Sequence, residues 1–149
     1  MNGSRGWCSF RIAGTLFGVP VEQVVGIVRR TEVSPVPGAR PSLAGLMHLR
    51  GRVVPVVDLR AVLGGNPLAR EAEHVHVIVR DGRDEVSLIA DRIGDFVRTQ
   101  GAALDPTPET LGAPYTELVP HVVRMPEDLL LALDTELVLD HAFPDTPRH

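Results

Sequence analysis

The sequence predicts a mainly β protein with a few short helices, assembled as two related small barrels. Three observations carry that expectation. Val, Leu and Ile abound between Gly, Pro and Asp punctuation while aromatics make up 4% of the chain, a pattern of many short strands. In "HVHVIVRDGRDEVSLIAD" the apolar positions Val75, Val77 and Val79 alternate with other residues up to Asp81-Gly82, and Val86, Leu88 and Ala90 resume the alternation. Finally, "VVPVVDLRAVL" (53–63) aligns with "LLLALDTELVL" (129–139) as an apolar strand, an Asp, two polar or mixed residues and an apolar turn ending in Val-Leu.

Taken in order, Phe10-Arg11-Ile12 and Leu16-Phe17-Gly18-Val19 flank Ala13-Gly14-Thr15 and predict a first hairpin. After Pro20, the spacing of Val21, Val24, Val25 and Val28 predicts a short helical turn. It passes into a strand because valines and Gly26 are poor helix formers. "SPVPGARPS" (34–42) predicts an extended connection, since its three prolines have no place in a central strand, and "DPTPETLGAP" (105–114) predicts a second loop of this kind. In the repeated unit, Asp58 and Asp134 are placed to cap a short helix starting directly at a strand end, and Gly64 suits the residue after the first of them. Such strand-to-helix corners let a small barrel close.

Composition narrows function. The 149 residues are 44% hydrophobic, enough for one compact domain or two small packed ones. A net charge of −4 with scattered basic residues leaves no footprint for nucleic acid. All 15 basic residues are Arg, which removes the lysine of Schiff-base, P-loop and kinase chemistry. A single cysteine, Cys8, allows neither an internal disulfide nor a thiolate zinc cluster and suits a reducing compartment. No run approaches the roughly 18 apolar residues needed to span a bilayer, so the expected location is cytoplasmic without membrane insertion.

Searches for reactive groups return little. His74 and His76 share one face of a strand, an arrangement that can bind zinc, yet no Cys, Asp or Glu follows at a familiar ligand spacing, and a polar strand face is the expectation. Ser42, His48 and Asp58 lack a nucleophile elbow or an oxyanion motif, and capping accounts better for Asp58. No catalytic residue, cofactor or metal is expected.

The stretch "GLMHLRGRVVPVVDLRAVLGG" (45–65) resembles the CheW family of bacterial chemotaxis adaptors, whose hallmark is an apolar strand, Leu-Arg-Gly, a Val/Ile/Pro strand and then Asp-Leu-Arg. "FRIAGTLFGVPVEQVVGIV", "TEVSPVPGARPSLAGLMHLRG", "VSLIADRIGDFVR" and "VVRMPEDLLLALDTELVL" extend the similarity from about residue 7 to 140. The resemblance implies two intertwined five-stranded SH3-like barrels, roughly 15–72 and 73–140 with exchanged terminal elements, and flexible ends at 1–6 and 141–149. It implies a non-catalytic adaptor between the cytoplasmic tips of chemoreceptors and the regulatory domain of a CheA-type histidine kinase, at receptor arrays. A related alternative is a scaffold of a divergent chemosensory-like pathway controlling pili, development or transcription.

Positional matching with the family places Val24, Gly45 and Arg50 at or beside a receptor-binding groove, with Gly26 and His48 next to them and Gly51 as a structural corner. Arg50, before a Gly turn, is the principal candidate, because a guanidinium donates as a fork to carboxylates or helix-end carbonyls. Arg60 is expected to be a solvated helix residue. Two positions depart from the family pattern: Gly26 stands where many relatives carry a glutamate that pairs with the matching arginine, and His48 replaces the usual Asn.

Overall fold

The computed structural model describes residues 6–29, 31–69, 72–82, 84–99 and 104–144. Residues 1–5 and 145–149 of the expected flexible ends lie outside them, whereas Gly6 opens a strand and residues 141 and 142 close a helix. Eleven strands are present among the described residues: β1 (Gly6–Ile12), β2 (Thr15–Pro20), β3 (Val24–Arg29), β4 (Leu43–Leu49), β5 (Arg52–Asp58), β6 (Val75–Asp81), β7 (Asp84–Ala90), β8 (Arg92–Arg98), β9 (Leu104–Pro106), β10 (His121–Arg124) and β11 (Leu129–Ala132). Three short helices punctuate them: α1 (Leu59–Val62), α2 (Tyr115–Leu118) and α3 (Thr135–Ala142). The hairpins β1–β2 and β6–β7 form as the alternation predicts, and a 3-10 turn over Val21–Gln23 leads into β3.

The strands make two sheets, one of six strands in the order β8-β1-β2-β11-β10-β9 and one of five in the order β3-β6-β7-β5-β4. The expected five strands in each half become six in one, because Leu104–Pro106 pairs with β10 where a loop is predicted. Pro106 is tolerated there because an edge strand need not donate on both sides. The two sheets also draw on the chain differently from a cut near residue 72. One uses the continuous segment 24–90, and the other joins the first hairpin to everything after Ala90.

The internal repeat is real in three dimensions. In one sheet β5 lies parallel to β7 of its hairpin, with Val57 opposite Leu88; in the other β11 lies parallel to β2, with Leu131 opposite Phe17. In each case the strand runs straight into a capped helix, α1 or α3.

Three apolar clusters follow from this arrangement. The largest lies between the sheets and takes Phe10, Phe17, Val77, Val79 and Leu88 from strands, with Leu59, Val62, Val138 and Leu139 from the two corner helices. Trp7, Leu16, Val123 and Leu130 fill the hollow of the six-stranded sheet, and Met47, Val54, Val56, Ile78 and Ile89 that of the five-stranded one. Along β6 the valines at 75, 77 and 79 face the shared core while Ile78 faces the hollow, which explains a strand apolar on both sides.

At its edge, β4 bulges between Leu43 and Gly45 and receives an isolated bridge from the 31–42 connection, in which Ser34 and Leu46 exchange backbone hydrogen bonds of 2.8 and 2.9 Å. The approach is so close that a Cβ at Gly45, whose φ is +149°, would stand 2.2 Å from the Ser34 carbonyl oxygen. Gly45→Ala is therefore expected to lower the unfolding free energy in a urea titration by about 2 kcal/mol or more, whereas Gly26→Ala, which meets no atom within 4 Å, stays within about 1 kcal/mol of the parent.

Candidate interaction site at the β4–β5 turn

Arg50 and Gly51 are the two central residues of the β4–β5 hairpin, with φ of +52° and +80°. Positive φ at both positions is the signature of a type I′ turn, whose twist matches that of the flanking strands. Gly adopts it freely, but a long side chain with a Cβ pays about 1 kcal/mol. The Arg50 side chain is exposed and makes no hydrogen bond or ion pair with any described residue. Only one other non-Gly residue among those described has positive φ, Ala13 in the equivalent turn of β1–β2.

The neighbouring arginine is used differently. Arg52 Nη2 donates to Glu85 Oε1 at 2.7 Å, and Arg80 Nη2 donates to the other oxygen of the same carboxylate at 3.1 Å, so β5, β6 and β7 are tied together beside the turn. These two bonds, from Arg80 first and then Arg52, hold the Glu85 carboxyl below its usual range. Within Arg50-Gly51-Arg52 one cation is committed to the fold and the other is available.

His48 lies opposite Val53 across the hairpin, and both are exposed, Val53 to 61%. An imidazole, an aliphatic side chain and a free guanidinium thus share the outer end of one hairpin. The remaining groove candidates are placed otherwise. Gly45 is buried against Ser34, so it shapes the β4 edge from behind without offering a surface. Val24 opens β3, half-buried against the shared core, and Gly26 follows a bulge on the same strand with open space where a side chain would stand. β3 and β4 are opposite edges of their sheet in the hydrogen-bonding order. They meet across the hollow it encloses, where Val25 and Val28 pack on the same cluster as Ala44 and Leu49.

The corner behind the turn explains the Asp-Leu-Arg sequence. Buried Asp58 caps α1 by accepting from the backbone N–H of Arg60 at 2.9 Å and of Ala61 at 3.4 Å through Oδ1, while Oδ2 accepts from Leu68 N–H at 2.8 Å and pins the returning loop. Leu59 enters the shared core. Arg60, expected to be solvated, instead grips Asp91 with two bonds, Nε to Oδ1 at 3.2 Å and Nη2 to Oδ2 at 2.7 Å. Asp91 sits where the chain leaves one sheet for the other and also accepts from Ala13 N–H at 2.8 Å. The planar fork of arginine suits this planar acceptor. Asp134 repeats the cap alone, accepting from Leu137 N–H at 3.1 Å. Sequence spacing reveals the caps, but the partner of Arg60 is 31 residues distant and no local signal marks it.

The imagined triad does not assemble. Asp58 is consumed by capping, the Ser42 hydroxyl faces the Ala142 carbonyl at 3.5 Å, and His48 points from the exposed hairpin end. His74 and His76, expected on a polar strand face, are buried in the hollow of the five-stranded sheet, since the odd-numbered valines of β6 already occupy the other face. Burial, with the neighbouring His74 adding to it, lowers the His76 pKa to about 4, so the ring is neutral at pH 7.

Known proteins share this architecture. The profile of the CheW-like domain family matches residues 7–143. The chemotaxis protein CheW of Bacillus subtilis (strain 168) is 30% identical over 132 residues, covering 88% of this chain and 84% of its own. The chemotaxis protein CheW of Rhizobium meliloti (strain 1021) is 28% identical over 147 residues, 99% of this chain and 92% of its own. A shorter similarity, 30% over 84 residues, connects 52% of this chain with 47% of the protein PilI of Pseudomonas aeruginosa. Among solved structures, the scaffolding protein TtCheW of Thermoanaerobacter tengcongensis superposes with a TM-score of 0.80 over 93% of this chain and 89% of its own at 18% identity, a likeness of fold.

Two stability measurements check the corner. Asp58→Ala is expected to cost about 2–4 kcal/mol in chemical denaturation, because the cap is lost and Leu68 N–H is left without its acceptor. A double-mutant cycle on Arg60 and Asp91 is expected to give a coupling of about 1 kcal/mol that shrinks with added salt; additive single mutants would show that the pair contributes nothing.

Proposed function

The chain belongs to the CheW-like domain family and is a chemotaxis adaptor, and we propose that it joins the cytoplasmic tips of chemoreceptors to the regulatory domain of a CheA-type histidine kinase, with the β4–β5 turn as the receptor contact. The observation that carries this reading is Arg50: a long cation on a turn that strains it, with no partner among the described residues, beside an exposed apolar residue. Residues held in costly backbone conformations persist where they serve a purpose. A receptor tip is a helical hairpin, and a helix end or a row of carboxylates is what a free guanidinium recognises, while Val53 supplies apolar area and His48 an imidazole beside it. Gly26 supports the reading from the other edge. Its lack of a side chain removes the carboxylate that many relatives set against this arginine, and leaves room for a side chain from the partner.

Binding in this scheme needs no chemistry from the adaptor. Two preformed sheets present a rigid hairpin, so little order is lost on association, and in this reading the sheet edges pair with similarly folded kinase domains. Among the described residues no helix is long and apolar enough to cross a membrane, and location at receptor arrays follows from the partners.

The resemblance to PilI, together with the departures at Gly26 and His48, favours as a second reading a scaffold of a divergent chemosensory-like pathway with its own receptor and kinase. Co-purification with candidate receptor tips and kinase regulatory domains separates the two, since only cognate partners are retained.

Arg50→Ala and Arg50→Gly are expected to weaken receptor-tip capture by about tenfold or more with melting temperatures near that of the parent, as the turn conformation suits glycine. Capture at parental affinity by both variants would overturn the assignment of Arg50.

A further inference from the structure

The hollow of the five-stranded sheet holds two imidazoles to which the adaptor reading gives no role. His74 and His76 flank Val75, the first residue of β6, and share one face of the chain, with ring centroids 5.1 Å apart and planes at 79°. Both are buried, and the Nε2 of each has no hydrogen-bond partner among the described residues. Their Nδ1 atoms are engaged: that of His74 donates to the Ala72 carbonyl oxygen at 2.9 Å, and that of His76 meets the Ser87 hydroxyl at 2.8 Å, a group that serves either tautomer of the ring. A neutral imidazole leaves one nitrogen unmet here. A protonated one is a donor at both nitrogens and buries a charge together with an N–H that has no acceptor. Among the described residues no charged side chain is placed to offset that cost. Of the groups on the elements around the pair, Asp58 is engaged by three backbone N–H groups and Glu85 by Arg52 and Arg80, while Arg29 of β3, Glu32 of the 31–42 connection, His48 of β4 and Glu73 are exposed.

The segment that covers the pair has few ties of its own. β6 is paired along its length by β3 and β7, so the rings are not reached by parting strands. Val33 of the 31–42 connection and Leu68 of the loop after α1 pack over the hollow, and both line a cavity of about 450 Å³ with His74 and with Ile89, the residue opposite His76. The connection is held to β4 there by the Ser34–Leu46 bridge of two backbone hydrogen bonds. Segments tied by so few bonds open more often than the sheet beneath them. We propose that the His74–His76 pair is an acid-sensitive latch: the 31–42 connection lies closed on the hollow while both rings are neutral, and lifts with proton uptake as the pH falls. The sign follows from linkage. Burial first, and then the neighbouring His74, lowers the pKa of His76 to about 4 in the closed molecule, against about 6.5 for a hydrated imidazole. The closed state carries no penalty above about pH 6.5, is increasingly disfavoured below it, and reaches a constant penalty near pH 4. His76 alone raises the open-to-closed ratio about twentyfold between pH 7 and pH 5. Lifting the connection uncovers the β4 edge at Leu46 and removes Val33 from the cluster that contains Met47 and Val54 of the β4–β5 hairpin. The hairpin that displays Arg50 thus loses part of its support in acid. The latch is a property of the fold and stands whether or not Arg50 meets a receptor.

Amide hydrogen exchange at Ser34 and Leu46, the two donors of the bridge, reads the opening directly once each rate is divided by the intrinsic rate at that pH. From pH 7 to pH 5 the open-to-closed ratio is expected to rise about twentyfold in the parent and by about threefold or less in His76→Asn, which has no titrating ring and keeps an amide for Ser87. His48→Asn should retain the parental rise, which separates the buried pair from a surface imidazole. A melting temperature at neutral pH checks that His76→Asn folds. The ring resonances of the parent need no variant and decide the matter if it does not: the His76 ring should stay neutral down to about pH 5 while the bridge is closed. Equal protection of the bridge at both pH values, an equal rise in His76→Asn, or a His76 ring that takes up its proton near the ordinary imidazole pKa of about 6.5 with the bridge still closed would overturn the proposal.

Discussion

Each of the two sheets is apolar on both faces, and this double burial is the constraint on which the rest of the molecule depends. A small curved sheet encloses one cluster within its own hollow and must still cover its outer surface. Here the outer surfaces of the two sheets cover each other. The five-stranded sheet takes its strands from one continuous segment, but the six-stranded sheet joins the first hairpin to the last third of the chain. The shared core is the common property of both sheets, and it couples their stability through residues such as Phe10, Phe17, Val77 and Leu88.

Covering a sheet on both faces creates a problem where strands end, and the two aspartate corners solve it. A strand that runs directly into a helix leaves free N–H groups at a buried site, and a buried carboxylate satisfies them without a loop. The helices then drop their own apolar residues into the seam between the sheets. At the first corner the fork of Arg60 adds a second function by holding Asp91, the point where the chain crosses between sheets, and Asp91 in turn holds the first hairpin turn. Three segments distant in sequence are joined by one ion pair and one backbone hydrogen bond to the same carboxylate. The second corner is capped by Asp134 and tied elsewhere, through the hydroxyl of Thr135, which donates to Gln23 Oε1 at 2.6 Å.

The β4–β5 turn illustrates the division of labour among like residues. Arg52 and Arg80 neutralise a largely covered Glu85 and stiffen the hairpin, so that Arg50 at its tip is presented on a rigid support. A rigid display lowers the entropic cost of any association made there.

The amino-acid sequence by itself determined the elements that depend on neighbours along the chain. The alternation of β6 and β7, the helical turn after Pro20, the caps at Asp58 and Asp134 and the repeat that contains them are all local patterns, and periodicity or hydrogen bonding within a few residues is their cause. The turn at Arg50-Gly51 was legible for the same reason, as was the family, since its motifs are contiguous. Tertiary structure alone decided the short strand Leu104–Pro106, which exists because β10 offers it an edge, and the role of Gly45, which follows from a backbone contact with Ser34. It also decided the partner of Arg60 and the burial of His74 and His76. These features depend on which segments meet once the first hairpin has joined the late strands, and an ion pair or a close approach between distant segments leaves no period in the residues that form it.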